Sequence, residues 1–487
     1  MQSALLIVPP VLPLVFGVYF LFARKMRAWV AGAGLVLSFL AAVSLTLVGD
    51  AVQPLFSVAL NVTFIFKSDA AGRLFAVLFS GMFLTAGFFS LGYFKHHPNP
   101  AKFFAFYFFS LFALLSLCMA GSLVTMYLCF ETLTLCSFPM VLFDRSKEAV
   151  AAAIKYMLYS ITGAMMGLFG VIYLTLHTGS ATFIAGGSLE QAVAEGQPAL
   201  FLIAFFICMI GFGTKAGIFP MHGWLPTAHP IAPSPASAVL SGVVVKAGVL
   251  CIFRVIYFAV GPAAIRGTWA QTALLVLSLL TVLIGSAQAL RQKHIKRRLA
   301  YSTVSQISYI LFGLFMLEDL AVQGALLHTV FHAVMKTCLF LCAGSVMVYG
   351  GTADVDEMRG IGRRMPVTMW CFAFAGVGLV GIPPLSGFLS KWVLAQGAVQ
   401  SGMQVFSWLG PVILLVSALL TAGYIAPVVL SAFFPGGGKA QAETLAAKEA
   451  PAVMLWPLIA LAGLTLLFGL YAVPLRNLIQ SIVQTLL

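Results

Sequence analysis

Charged residues are scarce in this chain, because Asp, Glu, Lys and Arg make up only 8% of its 487 residues. Hydrophobic residues make up 61%. Soluble domains carry about 25% charged residues, so this composition excludes a soluble protein and predicts a polytopic membrane protein. The N-terminus runs into an apolar stretch without a polar leading region or a small-residue cleavage site. We therefore expect a retained first helix rather than a signal peptide.

Cysteine spacings typical of metal or cluster ligands are absent. The eight cysteines all fall in apolar stretches, and no two of them form a Cys-x-x-Cys pair. Free cysteine in such a setting usually packs as a small hydrophobic side chain. We therefore expect no haem, iron–sulfur or zinc site and no redox cofactor in this chain.

Runs of about 20 apolar residues, the length that crosses a bilayer, recur along the whole sequence. We predict an all-α integral membrane fold in one polytopic domain, residues 1–487, with no helical segment after the last span. Spans 1–3 occupy residues 1–100, two five-span groups occupy residues 101–260 and 268–435, and the last span lies in residues 450–487. The predicted spans, about fourteen in number, are residues 4–22, 28–48, 72–94, 103–119, 121–143, 149–176, 199–219, 233–258, 270–290, 301–317, 320–349, 366–399 (broken), 405–433 and 453–473.

The basic residues do not form a nucleic-acid-binding patch, although the net charge is +13. They are dispersed among short loops: 17 Lys and Arg follow odd-numbered spans, and 4 lie on the other side. We call the side with 17 the basic face. Its excess of positive charge predicts a cytoplasmic position and places both chain termini on the outer face of the inner (plasma) membrane. The densest cluster, residues 291–298, is interpreted as an orientation signal.

Seven charged side chains lie inside the apolar spans, where a charge at mid-membrane costs about 2.5–3.5 kcal/mol. A chain carries several such charges only where they have partners or a task, so the set predicts a path for protons or other ions. Lys155 and Arg254 lie near helix ends, from which their side chains are able to reach the inner and outer membrane surfaces. The seven are Glu131, Lys155, Lys215, Lys246, Arg254, Lys336 and Lys391.

Glu131 is the single acid in any predicted span. An unpaired carboxylate at that depth is prohibitive, so the side chain is either protonated or salt-bridged to a lysine. A buried ion pair contributes little to stability, which favours a functional role over a structural one.

Two spans are interrupted by proline. Span 7 carries Lys215 one turn before Pro220, and we expect a short extra helix after that proline. In span 12, Pro383 and Pro384 break the helix and Lys391 follows two turns later. Broken backbone at membrane depth is tolerated only where it faces protein or a wet cavity. Because spans 7 and 12 cross in opposite directions, spans 4–8 and 9–13 are predicted to form two inverted five-helix repeats.

Three titratable side chains share one stripe of span 11, namely His328, His332 and Lys336 at i, i+4 and i+8. Such a row suits water-assisted proton transfer, because His titrates near neutrality. Two His and a Lys make no usable zinc site. Polar contact between helices remains the alternative.

His222 and His229 flank Trp224 just after the break in span 7. Histidines here could relay protons, but His and Trp are also common at membrane interfaces, so both interpretations stay open. We keep the two histidines and Lys155 as candidate accessory residues.

These features resemble the antiporter-like subunits of respiratory complex I, of the multi-subunit cation/proton antiporters and of the related membrane-bound hydrogenases. The resemblance covers nearly the whole chain. It rests on Glu131, KAGIFPMHGWLPTAHPIAPSPASA (215–238), Lys246 and GIPPLSGFLSK (381–391). In that family the span 5 Glu pairs with the span 7 Lys, a span 8 Lys relays to span 11, and a span 12 group faces the exit path. By resemblance these roles fall on Glu131, Lys215, Lys246 and Lys391.

The resemblance implies a proton- or sodium-translocating subunit of a redox-driven, complex I-like membrane complex, with no redox centre in this chain. The segment AHPIAPSPASAVLSG (228–242) is most similar in sequence to subunits of hydrogenase-type complexes. Electron transfer elsewhere would disturb the Glu131–Lys215 pair, and a proton would then pass through Lys246 and the span 11 stripe to Lys391. The implied partners are other membrane subunits, including further antiporter-like ones, and the lipid bilayer, with no nucleic acid.

Two alternatives to the redox-driven complex stay open. One is a subunit of a stand-alone multi-subunit sodium/proton antiporter. The other is a carrier for another solute, such as bicarbonate or an organic anion.

Overall fold

The computed structural model describes residues 3–59, 62–95, 97–177, 182–189, 198–435 and 447–487. Within them, 13 helices are long and apolar enough to cross a membrane, and the chain is an integral multi-pass membrane protein. In chain order these are spans 1–11, 13 and 14: Leu5–Phe22, Ala28–Val48, Ala70–Tyr93, Pro100–Cys118, Leu123–Val141, Lys147–His177, Pro198–Ala216, Ser234–Val260, Trp269–Arg291, Ile295–Met316, Asp319–Gly350, Phe406–Phe433 and Ala452–Leu470.

Spans 7 and 12 are broken, as predicted. The helix of span 7 ends at Ala216, Gly217 follows with φ +84°, and a short helix, Leu225–Ile231, forms after the turn. Span 12 consists of two half-helices, Pro366–Val380 and Ser386–Gln400, which separate at Gly381 with φ +94°. Glycine suits both breaks because it adopts positive φ without steric cost. With span 12 included, the described residues contain the fourteen predicted spans.

Spans 8, 10 and 11 form the centre of the protein. Their apolar windows are 100%, 94% and 94% buried, against 33% for spans 1, 13 and 14. Helices surrounded in this way face protein on all sides, so a polar side chain on them meets other protein groups rather than lipid. Lys246 on span 8 and the His–Lys stripe on span 11 therefore lie in the interior.

Span 8 changes its helical geometry twice. Residues Val245–Arg254 form an α-helix between two π-helical turns, Leu240–Val244 and Val255–Val260. Such turns shift the backbone hydrogen-bond register and occur frequently at functional sites. Lys246 and Arg254 lie near the two ends of the α-helical segment between them.

Span 10 begins earlier than predicted, at Ile295 instead of residue 301. Lys296 and Arg298, which the sequence assigned to a loop, therefore belong to the helix and are buried. The Lys296 ammonium donates to the carbonyl of Ala232 (2.5 Å), and Arg298 donates to the carbonyls of Gln292 (2.8 Å) and Tyr424 (2.9 Å). The interpretation of residues 291–298 as an orientation signal stays a prediction, and these two residues also have buried partners.

A β-hairpin between spans 2 and 3 is an exception to the helical prediction. Strand β1, Ala51–Ala59, pairs antiparallel with strand β2, Val62–Ser68, and Ala51 lies opposite Ser68. The backbone N–H of Lys67 donates to the carbonyl of Met119 (2.7 Å), which fixes the hairpin to the end of span 4. The fold is helical throughout its membrane-spanning part.

A short helix, Val473–Gln484, follows span 14, so the expectation of no helical segment there is wrong. Its Ile479, Ile482 and Val483 side chains are buried, whereas Arg476 is exposed. The helix packs against span 11. An amphipathic terminal helix therefore covers part of an interior span.

The inverted repeat stays a prediction, as do the domain boundaries. In both groups of five spans the fourth is the broken one, as a repeat would require. Lys215 precedes the break in its span, however, and Lys391 follows the break in the other. Residues 436–446, between spans 13 and 14, lie outside the described residues, and they include Lys439, one of the 17 basic residues counted on the basic face.

Candidate functional site

Lys215 lies at the broken end of span 7, in a cage of hydroxyl groups. Its side chain is buried, and its ammonium donates to Thr134 Oγ1 (2.8 Å), the Tyr156 hydroxyl (2.8 Å) and Ser160 Oγ (3.4 Å). The ammonium also lies 4.7 Å from the centroid of the Tyr156 ring, where the negative ring face attracts a cation. All three hydrogen-bond partners are neutral, so the cage solvates the charge without neutralising it.

Glu131 forms no ion pair with Lys215, contrary to the direct contact that the family resemblance implied. No carboxylate oxygen of Glu131 lies within 4.0 Å of a basic nitrogen among the described residues. Its Oε1 atom is buried without a hydrogen-bond partner in the same part of the chain. Thr134 follows Glu131 by one helical turn on span 5 and binds the Lys215 ammonium, so a hydroxyl takes the place expected for the carboxylate.

Lys246 lies in the fully buried centre of span 8. Its ammonium donates to the carbonyl of Ser241 (3.0 Å), which belongs to the preceding π-helical turn. The Ser241 hydroxyl in turn lies 2.6 Å from the Thr303 hydroxyl on span 10. Lys246 takes part in none of the ion pairs found among the described residues. A backbone carbonyl, not a carboxylate, therefore holds this charge.

The span 11 stripe is buried along its whole length. His328 donates from Nε2 to the Gln306 amide oxygen (3.1 Å), and its Nδ1 lies 2.9 Å from Ser390 Oγ. The His332 ring stacks on the His328 ring with centroids 5.7 Å apart, and neither nitrogen of His332 has a hydrogen-bond partner among the described residues. A histidine without fixed partners next to one with two partners is suited to receive a proton and pass it on.

Lys336 continues the stripe towards span 10. Its ammonium donates to the carbonyl of Leu299 (3.0 Å) and to the Ser302 hydroxyl. The predicted i, i+4, i+8 row is therefore present on one helix face, but each member is held by a different neighbour.

Lys391 binds the end of the preceding half-helix of its own span. Its ammonium donates to the carbonyls of Leu379 (2.7 Å) and Val380 (3.0 Å), the last two residues before Gly381. It also lies 5.1 Å from the centroid of the Tyr309 ring. Ser390, the neighbouring residue, is the one that contacts His328, so span 12 touches the span 11 stripe at this point.

The accessory candidates gather around the short helix that follows the break in span 7. The Lys155 ammonium donates to Thr227 Oγ1 on this helix (3.0 Å), so this side chain has a protein partner. His229 is fully buried, and neither of its ring nitrogens has a partner among the described residues. His222 is partly buried and its Nδ1 atom also has none. The sequence missed Lys296, which is buried beside this helix through its bond to Ala232.

The position of Arg254 near a helix end predicted a side chain that reaches the membrane surface. In the structure this side chain is buried instead. It forms an ion pair with Asp69, with Nη1–Oδ2 at 2.5 Å and Nη2–Oδ1 at 2.8 Å. Asp69 caps span 3 by accepting from the N–H of Gly72 (2.8 Å). Burial raises the pKa of the Asp69 carboxyl, but the Arg254 charge and these hydrogen bonds outweigh it and hold that pKa below its usual range. Asp69 lies outside the predicted spans, so no pattern in the sequence indicates this pair.

No three His, Cys, Asp or Glu side chains come together as a metal site in the part of the chain that the structure describes. The expectation that this chain binds no cofactor or metal stays a prediction.

Comparison with known proteins identifies the family. Residues 120–421 match the family described as "NADH:quinone oxidoreductase/Mrp antiporter, TM". This chain belongs to that family. The matched region contains spans 5–12 and most of span 13, and with them every path residue described above. The chain is thus an antiporter-like membrane subunit.

Individual relatives agree with this assignment. The chain is 31% identical over 402 residues to NADH-quinone oxidoreductase subunit N of Desulforudis audaxviator, which covers 79% of this chain and 77% of that protein. It is 30% identical over 453 residues to F(420)H(2) dehydrogenase subunit N of Methanosarcina mazei, covering 91% and 88%. The solved structure of the Mrp complex from Dietzia sp. contains a chain of the same fold, with a TM-score of 0.86, 22% identity and coverage of 100% and 97%.

Proposed function

We propose that this chain is the proton-translocating subunit of a redox-driven, complex I-like membrane complex. The observation that carries the proposal is a set of buried Lys and His side chains held by neutral hydroxyl and carbonyl groups. Lys246 and Lys336 both lie at 0% exposure with such partners. Oxygen-rich carboxylate sites suit metal cations, whereas amines and imidazoles carry protons. This chemistry favours protons over sodium ions.

The pathway begins in the proposal at Glu131 and the Lys215 cage. A change in the charge of Glu131 alters the electrostatic potential at Lys215 across the intervening Thr134. Lys215 then exchanges its proton towards Lys246, and the span 11 stripe transfers it to the Ser390–Lys391 end of span 12. His332 is the relay in this row whose ring nitrogens have no hydrogen-bond partner among the described residues. Lys155, His222 and His229 are the accessory groups on the basic face.

The redox drive and the partners rest on the relatives. Both relatives named above are subunits N of oxidoreductases or dehydrogenases, and we propose that this chain likewise assembles with other membrane subunits, further antiporter-like ones included. In the same proposal the basic face lies towards the cytoplasm and both termini lie outside the plasma membrane. The family also includes the Mrp antiporters, so a stand-alone sodium/proton antiporter is the second candidate.

The substitution Glu131→Gln tests the proposal. We expect proton uptake by inverted membrane vesicles, driven by the electron donor of the complex and followed with a pH-sensitive dye, to fall at least tenfold. Glu148→Gln is the matched control, because Glu148 is exposed in the first turn of span 6. Unchanged uptake in the Glu131 variant would contradict the role of this carboxyl group.

The ion and the driving force need a second measurement on the same vesicles. In sodium-free buffer, donor-driven proton uptake should persist with the unmodified chain. If proton movement instead requires an imposed sodium gradient and does not respond to any electron donor, the stand-alone antiporter is the correct assignment.

A further inference from the structure

A cationic pocket lies at the basic face, between the start of span 4 and the end of span 5. We call it the span 4–5 pocket. Its volume is about 310 Å³. Its polar side is formed by His97, Lys102 and Arg145, and its apolar side by Phe106 and Leu142. None of these residues belongs to the titratable path.

The two long cations of the pocket have no acidic partner among the described residues. Lys102 and Arg145 are both exposed, and neither takes part in an ion pair there, although Asp144 precedes Arg145 in the chain. The His97 ring is fixed, because its Nδ1 accepts from the Asn99 N–H (3.2 Å) and its face packs 4.8 Å from the Phe143 ring. Two uncompensated positive charges beside a fixed ring attract an anion.

Arg145 adopts an unusual backbone conformation. Its φ is +53°, the left-handed region that L side chains other than Asn and Asp seldom enter, and its N–H donates to the carbonyl of Leu142 (3.0 Å). Such a conformation costs about 1–2 kcal/mol for an arginine. Residues kept at that cost occur preferentially at ligand sites, where the surrounding structure holds them in place.

We propose that the span 4–5 pocket binds the phosphate of an anionic phospholipid, with an acyl chain against Phe106 and Leu142. The position along the membrane normal favours a lipid over a free anion. Lys102 lies in the first turn of span 4, at the end of the span, and Phe106 lies one turn further along the same face, towards its middle. Basic pockets between spans on the cytoplasmic side recognise anionic headgroups, and the anionic lipids are concentrated in that leaflet. This proposal rests on the cytoplasmic position proposed above for the basic face, but not on the proposed ion translocation.

Native mass spectrometry of the full chain, purified from nanodiscs together with any subunits that accompany it, tests this site. The probe is phosphatidylglycerol, compared with phosphatidylcholine of the same chains. We expect one phosphatidylglycerol to be retained preferentially. The double substitution Lys102→Gln and Arg145→Gln should weaken its retention by about 25-fold, since each cation near an anionic lipid contributes roughly a fivefold factor. The matched control, Lys25→Gln with Arg27→Gln, removes two exposed cations from the same face and should leave retention unchanged.

Four results would overturn the proposal. Equal retention of phosphatidylcholine would show that the charge is not recognised. An equal loss in the Lys25 and Arg27 control would indicate general attraction to the face rather than a site. Displacement of the lipid by millimolar inorganic phosphate would indicate a site for the free anion. Absence of any retained lipid from the unmodified chain would show that something else, such as a neighbouring subunit, covers the pocket.

Discussion

The Arg254 guanidinium binds the Asp69 carboxylate with two parallel hydrogen bonds, and their side chains are only 1% and 11% exposed. This pair joins the start of span 3 to the α-helical segment of span 8 that also carries Lys246. The Arg73–Asp50 pair nearby provides a contrast, because its side chains are 19% and 74% exposed.

Asp69→Asn should destabilise the protein by about 3–5 kcal/mol, because it leaves Arg254 buried without a countercharge. Asp50→Asn, which breaks the exposed pair, should cost no more than about 1 kcal/mol. The free energies of unfolding in mixed micelles measure both.

The loss from Asp69→Asn should be the same between about pH 5 and pH 8. The pKa of Asp69 is lowered in the folded state, so the stability from its ionisation is complete above the unfolded value and is lost only as the pH falls through the folded one. Similar losses of unfolding free energy for Asp69→Asn and Asp50→Asn would show that burial does not strengthen the Arg254–Asp69 pair.

Lys391→Ala should block proton translocation, and Lys391→Arg should restore it poorly. Arginine keeps the positive charge next to the carbonyls of Leu379 and Val380 but effectively never releases its proton. Donor-driven proton uptake in vesicles measures the effect, with assembly of the complex checked in parallel. Normal uptake with arginine would make Lys391 an electrostatic element rather than a relay.

His332→Leu and His328→Leu should separate transport from stability. His328 holds the Gln306 amide oxygen, so its loss leaves that buried acceptor without its donor, while Ser390 keeps its bond to the Gly387 carbonyl (3.2 Å). The replacement should cost about 1–3 kcal/mol of unfolding free energy. His332 makes no such bond among the described residues, so its replacement should cost under about 1 kcal/mol yet reduce proton uptake several-fold. A stable His332 variant with full uptake would remove this residue from the pathway.

Gly217→Ala should destabilise the break in span 7 more than Gly402→Ala destabilises its loop. Both glycines have positive φ, at +84° and +68°, so both variants carry a backbone cost of about 1–2 kcal/mol. An added Cβ at Gly217 would also collide with the Leu225 side chain, whereas nothing lies within 4 Å at Gly402. Equal unfolding free energies for the two variants would show that Leu225 moves aside freely.

The sequence predicted the helical framework because hydropathy and proline act locally. The breaks at Gly217 and Gly381 lie within a few residues of Pro220 and of Pro383–Pro384, and fourteen spans follow from the apolar runs. The β-hairpin was not predicted, because strand pairing depends on contacts between residues far apart in the chain and residues 51–68 lie between two strong helical signals. The start of span 10 was misplaced because Lys296 and Arg298 look like surface charges until their buried carbonyl partners are known.

The site was predicted residue by residue but not contact by contact. The candidate residues are polar or charged side chains inside apolar spans, and the sequence alone reveals such positions. Their partners depend on packing between distant helices: Thr134 lies 81 positions from Lys215, and Asp69 lies 185 from Arg254. The family pattern implied a carboxylate at Lys215, whereas the structure places hydroxyl groups there. Their roles in transport stay a prediction.

Lys391 is the C-terminal cap of a half-helix as well as a titratable group. The last carbonyls of a helix carry about half a negative charge, which a protonated lysine offsets and a neutral one does not. We therefore expect that loss of the proton would loosen the end of Pro366–Val380, and that movement of this half-helix would change how firmly the amine keeps its proton. By thermodynamic reciprocity the two effects are equal in size. In the proposed pathway, the stability of the break in span 12 would therefore depend on the charge of a single nitrogen atom.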